Sequence, residues 1–424
     1  MKKKIGIDDL RLDLEQSYFR KVNPIIQSLK KRYDFLNKQE HKRDVEFYAL
    51  ISHSVDINEH YAIKYLLGRV KKNLMTDVKI SMYLHQSTVF NITCIPRIQK
   101  GTAEAMIFVS QHFFNNLNED EQLAIIGHEV AHFILGHLEY PIHEILNYSF
   151  DLEEINGLKA DLLAWSKACE ITADMFGLVA NDFNFKAYST AIIKHFTGLS
   201  DSSNSNFNIV PLVELTLEQF DYLAKDPLYG GDTSTHPLTP LRVKIINSAT
   251  KTLLIKNYGE LFEDEKVDHA RKEYNKLIND LIKDIYPEMF PGNFEGSDVL
   301  PAMSYAVALS DGILDDKEYR AIKRMLPKVK TTEDYLKIIK EKEKKQSYKI
   351  IVDELVEKSI KTARENNLSK HTLVPIIRVL LVVAASDDEI THEELETIFG
   401  FAKAFHFTRH EIVTILKTHN NIHH

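Results

Sequence analysis

The segment His128–His132 has the pattern His-Glu-x-x-His, in which two histidines and a glutamate can build a catalytic zinc site. Four residues make just over one helical turn, so on a helix both imidazoles leave the same face and can bind one Zn²⁺. Glu129 lies beside them and could take a proton from the attacking water. Because these five letters also occur by chance in unrelated chains, the pattern needs support from its surroundings.

The neighbouring residues predict that this motif lies in the middle of a helix. Asn118 can cap the helix N-terminus, and Glu121 stands three residues later in the capping-box position. An apolar stripe at helical spacing follows, formed by Leu123, Ile126, Val130, Phe133 and Ile134. We therefore expect a continuous helix through the motif.

A second helical run, Ser166–Asp174, carries two carboxylates that are one turn apart. Glu170 follows His132 by 38 residues and could supply a third zinc ligand. Asp174 could accept the free N–H of a ligand histidine and so fix its tautomer. Three protein ligands plus water would make an open, catalytic site, whereas the alternative is two ordinary surface helices.

These motifs, together with Thr235-His236-Pro237 and an arginine five residues after the proline, resemble the gluzincin peptidases related to the HtpX heat-shock protease and the CAAX-prenyl endopeptidases. The resemblance covers roughly residues 55–250. It implies zinc as cofactor, a protein or peptide substrate, and a general base. The implied residues are the zinc ligands His128, His132 and Glu170, the base Glu129, the His128 partner Asp174, and His236 and Arg242 near the cleft.

His236 and Arg242 each have an alternative interpretation. His236 could donate a hydrogen bond to the oxyanion that forms during peptide hydrolysis, or it could be a histidine in a turn before a proline. Arg242 is better explained as an ion-pair partner than as a substrate contact. His137 follows the motif by five residues, which turns it away from the zinc face of a continuous helix, so we expect a surface histidine or one that supports a ligand from behind. Cys169 precedes Glu170, and adjacent helical positions point about 100° apart, so both cannot face the zinc.

Upstream, Thr88–Ile92 is similar to the stretch that holds a short Asn-Ala segment in the family. Asn91 stands in the place of the asparagine, and Ile92 replaces the alanine. The resemblance then implies that Ile107–Ser110 is the edge strand along which an extended substrate pairs. A strand inside the core is the alternative.

Composition predicts a protein of the reducing cytoplasm. The chain has 424 residues, a net charge of −8 and only two cysteines, which gives no reason to expect nucleic-acid binding or a disulfide scaffold. No run of about 18 apolar residues could span a bilayer, although the family relatives named above are integral membrane proteins. The longest apolar segment, Leu373–Ala385, contains Pro375 and Arg378 and predicts a core helix.

We expect an α+β fold with three parts. Residues 1–50 predict helices that pack on the core, residues 51–290 a mostly helical zincin-type domain with a small edge sheet, and residues 296–424 an all-α domain. The boundary is expected near residue 292, in a segment rich in proline and glycine.

The C-terminal region contains an internal repeat. Ala308–Tyr319 recurs 76 residues later as Ala384–Leu395, and each copy places an acidic turn between two helices. Asp315 and Thr391 can cap the following helices; divalent-cation binding by these turns is the less favoured alternative. The arrangement resembles the TerB-type helical domain of tellurite-resistance and stress proteins, for which we expect a protein partner or a regulatory role.

The sequence therefore predicts a zinc-dependent metalloendopeptidase with a C-terminal accessory domain. One alternative is a catalytically silent zincin-fold module that binds or senses. The other is hydrolysis of a bond other than a peptide bond.

Overall fold

The computed structural model describes residues 2–33, 36, 50–51, 53–86, 91–99, 102–140, 142, 145, 155–199, 210–223, 235–286, 289, 299–325, 331–366, 368, 370–386 and 390–420. Its contacts divide the chain into two compact units. The first contains Met1–Phe150, Leu158–Asp221 and Ser234–Leu281, and the second contains Asp151–Gly157, Tyr222–Thr233 and Ile282–His424. The predicted boundary near residue 292 and the predicted Thr88–Phe90 segment lie outside the described residues.

The elements of the first unit are mostly helical, with two small sheets, which confirms the α+β fold class. In chain order they are β1 (Lys2–Lys4), α1 (Ile7–Leu10), α2 (Asp13–Arg32), β2 (Ser54–Asp56), α3 (Tyr61–Asn73), β3 (Lys79–His85), β4 (Ile92–Gln99), β5 (Thr102–Ser110), α4 (Gln111–Asn115), α5 (Glu119–Ile134), α6 (Ile155–Ala180), α7 (Phe185–Thr197), α8 (Val210–Leu223), α9 (Thr239–Ala249), α10 (Leu253–Lys256), β6 (Leu261–Glu263) and most of α11 (Asp264–Ile285).

The second unit is all-helical where it is described. Its helices are α12 (Val299–Ala308), α13 (Asp316–Met325), α14 (Thr331–Lys342), α15 (Tyr348–Glu365), α16 (Lys370–Ala384), α17 (His392–Lys403) and α18 (Arg409–Asn420). The predicted core helix is α16, in which Leu373, Ile377 and Leu380 are among the buried apolar side chains. Both predicted caps are confirmed, since Asp315 accepts from the backbone N–H of Glu318 and Thr391 from that of Glu394. Across the described stretches of the chain, no helix is both long enough and apolar enough to cross a bilayer.

The main sheet has the strand order β2-β3-β5-β4. β5 pairs in parallel with β3 and antiparallel with β4, so its backbone groups are engaged on both sides. The prediction that Ile107–Ser110 is an edge strand is therefore wrong, because this segment is the end of β5. Among the described strands, β4 has a neighbour on one side only. The β4–β5 hairpin produces this order, which strand patterning alone does not specify.

The N-terminal residues are an integral part of the first unit. β1 pairs with β6, and Leu10 of α1 and Tyr18, Val22, Ile26 and Leu29 of α2 are buried. Asn275 on α11 accepts the backbone N–H of Asp13, and the Tyr274 hydroxyl donates to the carbonyl of Leu10. These contacts fix the start of α2 against α11.

Helices α5 and α6 approach closely because glycines stand where they cross. A Cβ at Gly177 would lie 2.6 Å from a ring carbon of Tyr188 and 2.7 Å from the carbonyl oxygen of Ala124. A Cβ at Gly127 on α5 would collide with Ala180 on α6. The two helices can therefore place their polar faces against each other at short range.

Gly177→Ala is expected to destabilise the first unit by about 1–3 kcal/mol, because overpacking forces backbone or ring to move. Trp165 is the single tryptophan and is buried on α6, so its fluorescence follows the unfolding of this unit. Gly68→Ala on α3 is the matched control, since a Cβ there meets nothing within 4 Å. Equal unfolding temperatures for the two variants would contradict the close-packing argument.

Candidate metal centre

Helix α5 begins with the predicted capping box. Asn118 Oδ1 accepts the Glu121 N–H at 3.0 Å, and Glu121 Oε2 accepts the Asn118 N–H at 2.8 Å. The buried Glu121 carboxylate also accepts from Thr190 Oγ1 at 2.6 Å and from Lys194 Nζ at 2.8 Å, both on α7. These bonds fix the start of α5 against α7, and His128 and His132 then face a cleft.

Three side chains, two on α5 and one on α6, bring their donor atoms together at one point. The Nε2 atoms of His128 and His132 lie 3.1 Å apart. Glu170 Oε1 lies 3.3 Å from His132 Nε2, and Glu170 Oε2 lies 3.5 Å from His128 Nε2. Ligand atoms at about 2.0–2.1 Å from a tetrahedral zinc ion would be about 3.3–3.4 Å apart. The spacing and chemistry of this donor set therefore fit zinc.

One carboxylate oxygen of Glu170 also indicates a metal site. Glu170 Oε2 is buried and accepts no hydrogen bond from the described residues. His128 Nε2 at 3.5 Å and the Arg242 guanidinium at 3.7 Å lie beside this oxygen without donating to it, so it is stabilised electrostatically and keeps a lone pair free for a metal ion. His128, His132 and Glu170 form one of the two groups in the described residues whose ligand atoms all lie within 4.8 Å of one another.

The other nitrogen of His128 faces Asp174, as the resemblance implied. Nδ1 lies 3.1 Å from Asp174 Oδ1 and 3.2 Å from the hydroxyl of Tyr188. Tyr188 Oη in turn donates to Asp174 Oδ1 at 2.6 Å. A carboxylate at Nδ1 directs the free lone pair of the ring to Nε2, where the other donors converge.

Arg242 on α9 also binds Asp174. Its Nε donates to Oδ2 at 2.8 Å and its terminal nitrogen to Oδ1 at 2.5 Å, and both side chains are buried. Burial alone would raise the pKa of Asp174, but the guanidinium lowers it below the usual value. Arg242 thus keeps the carboxylate ionised, which is the ion-pair role expected for it.

Zinc affinity is expected to rise with pH up to about pH 9. Burial opposes a charge on His128, but the neighbouring carboxylates of Asp174 and Glu170 raise its pKa to about 9. Zinc requires the neutral imidazole, so below this pH each bound ion displaces a proton. Chelator competition between pH 6.5 and 8.5 should show affinity rising about tenfold per pH unit. An affinity that stays flat over this range would contradict the protonated state of His128.

Glu129 lies at the same cleft beside β4. It borders the cleft with Cys94, whose backbone hydrogen-bonds it. Burial raises the pKa of Glu129 above its usual value, while His128 and His132 oppose this shift. A carboxylate with a raised pKa is a better proton acceptor near neutral pH.

The cleft is open on one side and has a volume of about 1020 Å³. β4 forms one wall with residues Ile92–Pro96, and Asn91 lies at the start of that strand. The backbone carbonyl of Asn91 accepts from the N–H of Ser110 at 2.9 Å, which closes the β4–β5 ladder. Asn91 is therefore placed at the cleft wall.

His236 lies at the mouth of this cleft, where its Nε2 is 3.6 Å from Glu170 Oε1. Its side chain is 45 % exposed, and its ring packs edge-on against Phe196 at 6.0 Å. Burial lowers its pKa, and nearby Arg242 adds to this effect. A neutral imidazole in this position can donate one hydrogen bond.

Sequence reasoning missed Tyr188, which contacts the candidate ligand His128. Tyr188 comes from α7, and nothing in its local sequence distinguishes it from an ordinary core tyrosine. His137 was expected either at the surface or behind a ligand, on the assumption of a continuous helix, but α5 ends before it. Gly136 adopts φ 71°, which reverses the chain and returns the buried His137 to 3.0 Å from His132 Nδ1.

Two family models match the chain. Peptidase family M48 matches residues 99–149, and the tellurite resistance protein TerB matches residues 297–417. The matches support a metallopeptidase of family M48 that carries a TerB domain. The first contains His128–His132 and ends before Glu170. Searches of curated proteins and of solved structures gave no match.

Proposed function

We propose that the first unit is a zinc-dependent endopeptidase of the gluzincin type. The observation that carries the proposal is the convergence of His128, His132 and Glu170 at tetrahedral ligand spacing, beside Glu129 and in an open cleft. The family M48 match over the motif helix supports the same activity.

In the proposed reaction, His128, His132 and Glu170 would hold zinc, and Asp174 would orient His128. Bound there, zinc would activate water and polarise the scissile carbonyl. Glu129 takes a proton from the attacking water and delivers it to the leaving amine. His236 donates a hydrogen bond to the oxyanion that develops on the peptide carbonyl.

We propose β4 as the strand along which an extended peptide aligns. It replaces Ile107–Ser110 in that role, because Ile92–Pro96 line the cleft and β4 has one strand neighbour among the described residues. Backbone pairing gives affinity without requiring a particular sequence, and it brings the scissile bond past Glu129. This arrangement favours peptides over other hydrolysable substrates.

The test is zinc content together with cleavage of casein, an unfolded substrate. The purified chain is expected to hold one tight zinc ion, lose cleavage when a chelator removes it, and recover cleavage when zinc is returned. Absence of zinc would contradict the ligand assignment. One zinc without cleavage of casein or of any peptide in a mixed library would favour the catalytically silent module.

We also propose that the second unit regulates or targets the peptidase and that the protein works in the cytoplasm. The regulatory role is motivated by the position of the second unit after a complete candidate centre. The location is supported by two free, buried cysteines, which fit a reducing compartment. A chain that ends near residue 290 and retains the Trp165 unfolding transition is expected to change substrate choice, activity or location. If none of the three changes, this role is wrong.

A further inference from the structure

Glu15, on α2 and distant in sequence from the motif, lies next to the candidate centre. Its carboxylate is fully buried, and Oε1 lies 3.5 Å from His137 Nε2. The other nitrogen of His137, Nδ1, lies 3.0 Å from Nδ1 of His132. One imidazole therefore connects an N-terminal carboxylate to a candidate zinc ligand.

Zinc binding would fix every proton along this connection. A histidine that binds metal through Nε2 carries its proton on Nδ1. His132 Nδ1 must then donate to His137 Nδ1, which can accept only when the His137 proton is on Nε2. An ionised Glu15 carboxylate is an acceptor only, so it favours that same tautomer. The three side chains thus favour one arrangement of protons, in which His132 donates to His137 and the Nε2–H of His137 faces Glu15 Oε1 at 3.5 Å, just longer than a well-formed hydrogen bond.

Glu15 is held in place for this role. Arg11 donates to both oxygens, at 2.8 Å from Nε and 2.7 Å from its terminal nitrogen. Burial alone would raise the pKa of Glu15, but the neighbouring His137 and the hydrogen-bonded Arg11 lower it below the usual value. The contacts of Leu10 and Asp13 with α11 fix the start of the helix that carries it.

The same side chains could be taken for a second metal site, because Glu15, His137 and Cys169 have ligand atoms within 4.8 Å of one another. Arg11, however, already occupies both oxygens of Glu15, and a dication would lie beside that guanidinium. A hydrogen-bonded relay fits these groups better.

We propose that Glu15 is a positioning residue for the metal centre, acting through His137 to fix the tautomer and orientation of His132. The proposal rests on the zinc site proposed above. Groups that orient metal-bound histidines typically change metal affinity by about 10–100-fold. The N-terminal helix α2 is then part of the centre and not only a support for the core.

The test measures zinc affinity of the full chain by chelator competition in four proteins: wild type, Glu15→Ala, His137→Phe and the double variant. Each single substitution is expected to weaken zinc binding by about tenfold or more. The double variant should bind no more weakly than His137→Phe alone, because Glu15 acts only through His137. Additive losses would indicate a general structural role and overturn the proposal.

Asp9→Asn is the matched control, since Asp9 is a buried carboxylate of the same N-terminal segment that contacts Lys3 and not the centre. It is expected to leave zinc affinity unchanged. If Glu15→Ala does not fold, Glu15→Met, which is similar in length and offers His137 no oxygen acceptor, takes its place, with Trp165 fluorescence as the check on folding. An unchanged affinity in a folded Glu15 variant overturns the proposal.

An NMR spectrum of the wild type gives an independent readout. It is recorded on the zinc-loaded, ¹⁵N-histidine-labelled protein, and the His137 signals are assigned by their change in Glu15→Gln or His137→Phe. These signals should show the His137 proton on Nε2. The opposite tautomer overturns the positioning role while leaving the zinc site intact. A wild-type protein that binds no zinc would disprove the proposed zinc site itself. A wild-type protein that binds two zinc ions, one of which is lost in Glu15→Ala, would show that Glu15 is a metal ligand and not a positioning residue.

Discussion

Glu129→Gln is expected to lower peptide hydrolysis by about 10²–10⁴-fold while one zinc ion stays bound. The amide keeps the size of the side chain but cannot take a proton from water, and Glu129 is not among the three converging donors. The measurement is casein cleavage and metal content on the same preparation. If zinc is retained while cleavage is lost, the variant has lost the general base and not the metal centre.

The control for this variant is Glu214→Gln, which changes an exposed glutamate on α8 of the same unit. It should leave cleavage and zinc content at wild-type values. Undiminished cleavage by Glu129→Gln would remove Glu129 from the mechanism. Loss of zinc together with activity would show that Glu129 mainly maintains the site.

Arg242→Gln is expected to cost about 3–5 kcal/mol in the free energy of unfolding of the first unit. The substitution leaves Asp174 ionised and buried, without the two hydrogen bonds that now reach both of its oxygens. Urea unfolding followed by Trp165 fluorescence measures the change in this unit. Zinc affinity should fall as well, because Asp174 also contacts His128.

Lys244→Gln is the matched control on the same helix. Its partner Asp221 is 59 % exposed, so loss of this 2.8 Å ion pair should cost no more than about 1 kcal/mol. If Arg242→Gln fails to fold, Arg242→Lys keeps the charge without the paired geometry and should show an intermediate loss. Equal stability of the Arg242 and Lys244 variants would contradict the structural role assigned to Arg242.

The sequence alone determined the features that depend on nearest neighbours along the chain. The capping box of α5, the helical spacing of His128 and His132, and the apolar stripe behind them are set by local hydrogen bonding and periodicity. The pairing of Glu170 and Asp174 one turn apart is local in the same way. These rules require no knowledge of what packs against the helix, so they could be predicted.

Only the tertiary structure decided which distant groups complete the centre. Glu15, Tyr188 and the reversal at Gly136 that returns His137 to His132 depend on packing between elements far apart in sequence. Strand order belongs to the same class, because alternation of side chains is equal for central and edge strands. For that reason the sequence identified the ligand helix α5, whereas only the fold assigned the edge to β4 and brought the N-terminal carboxylate to the site.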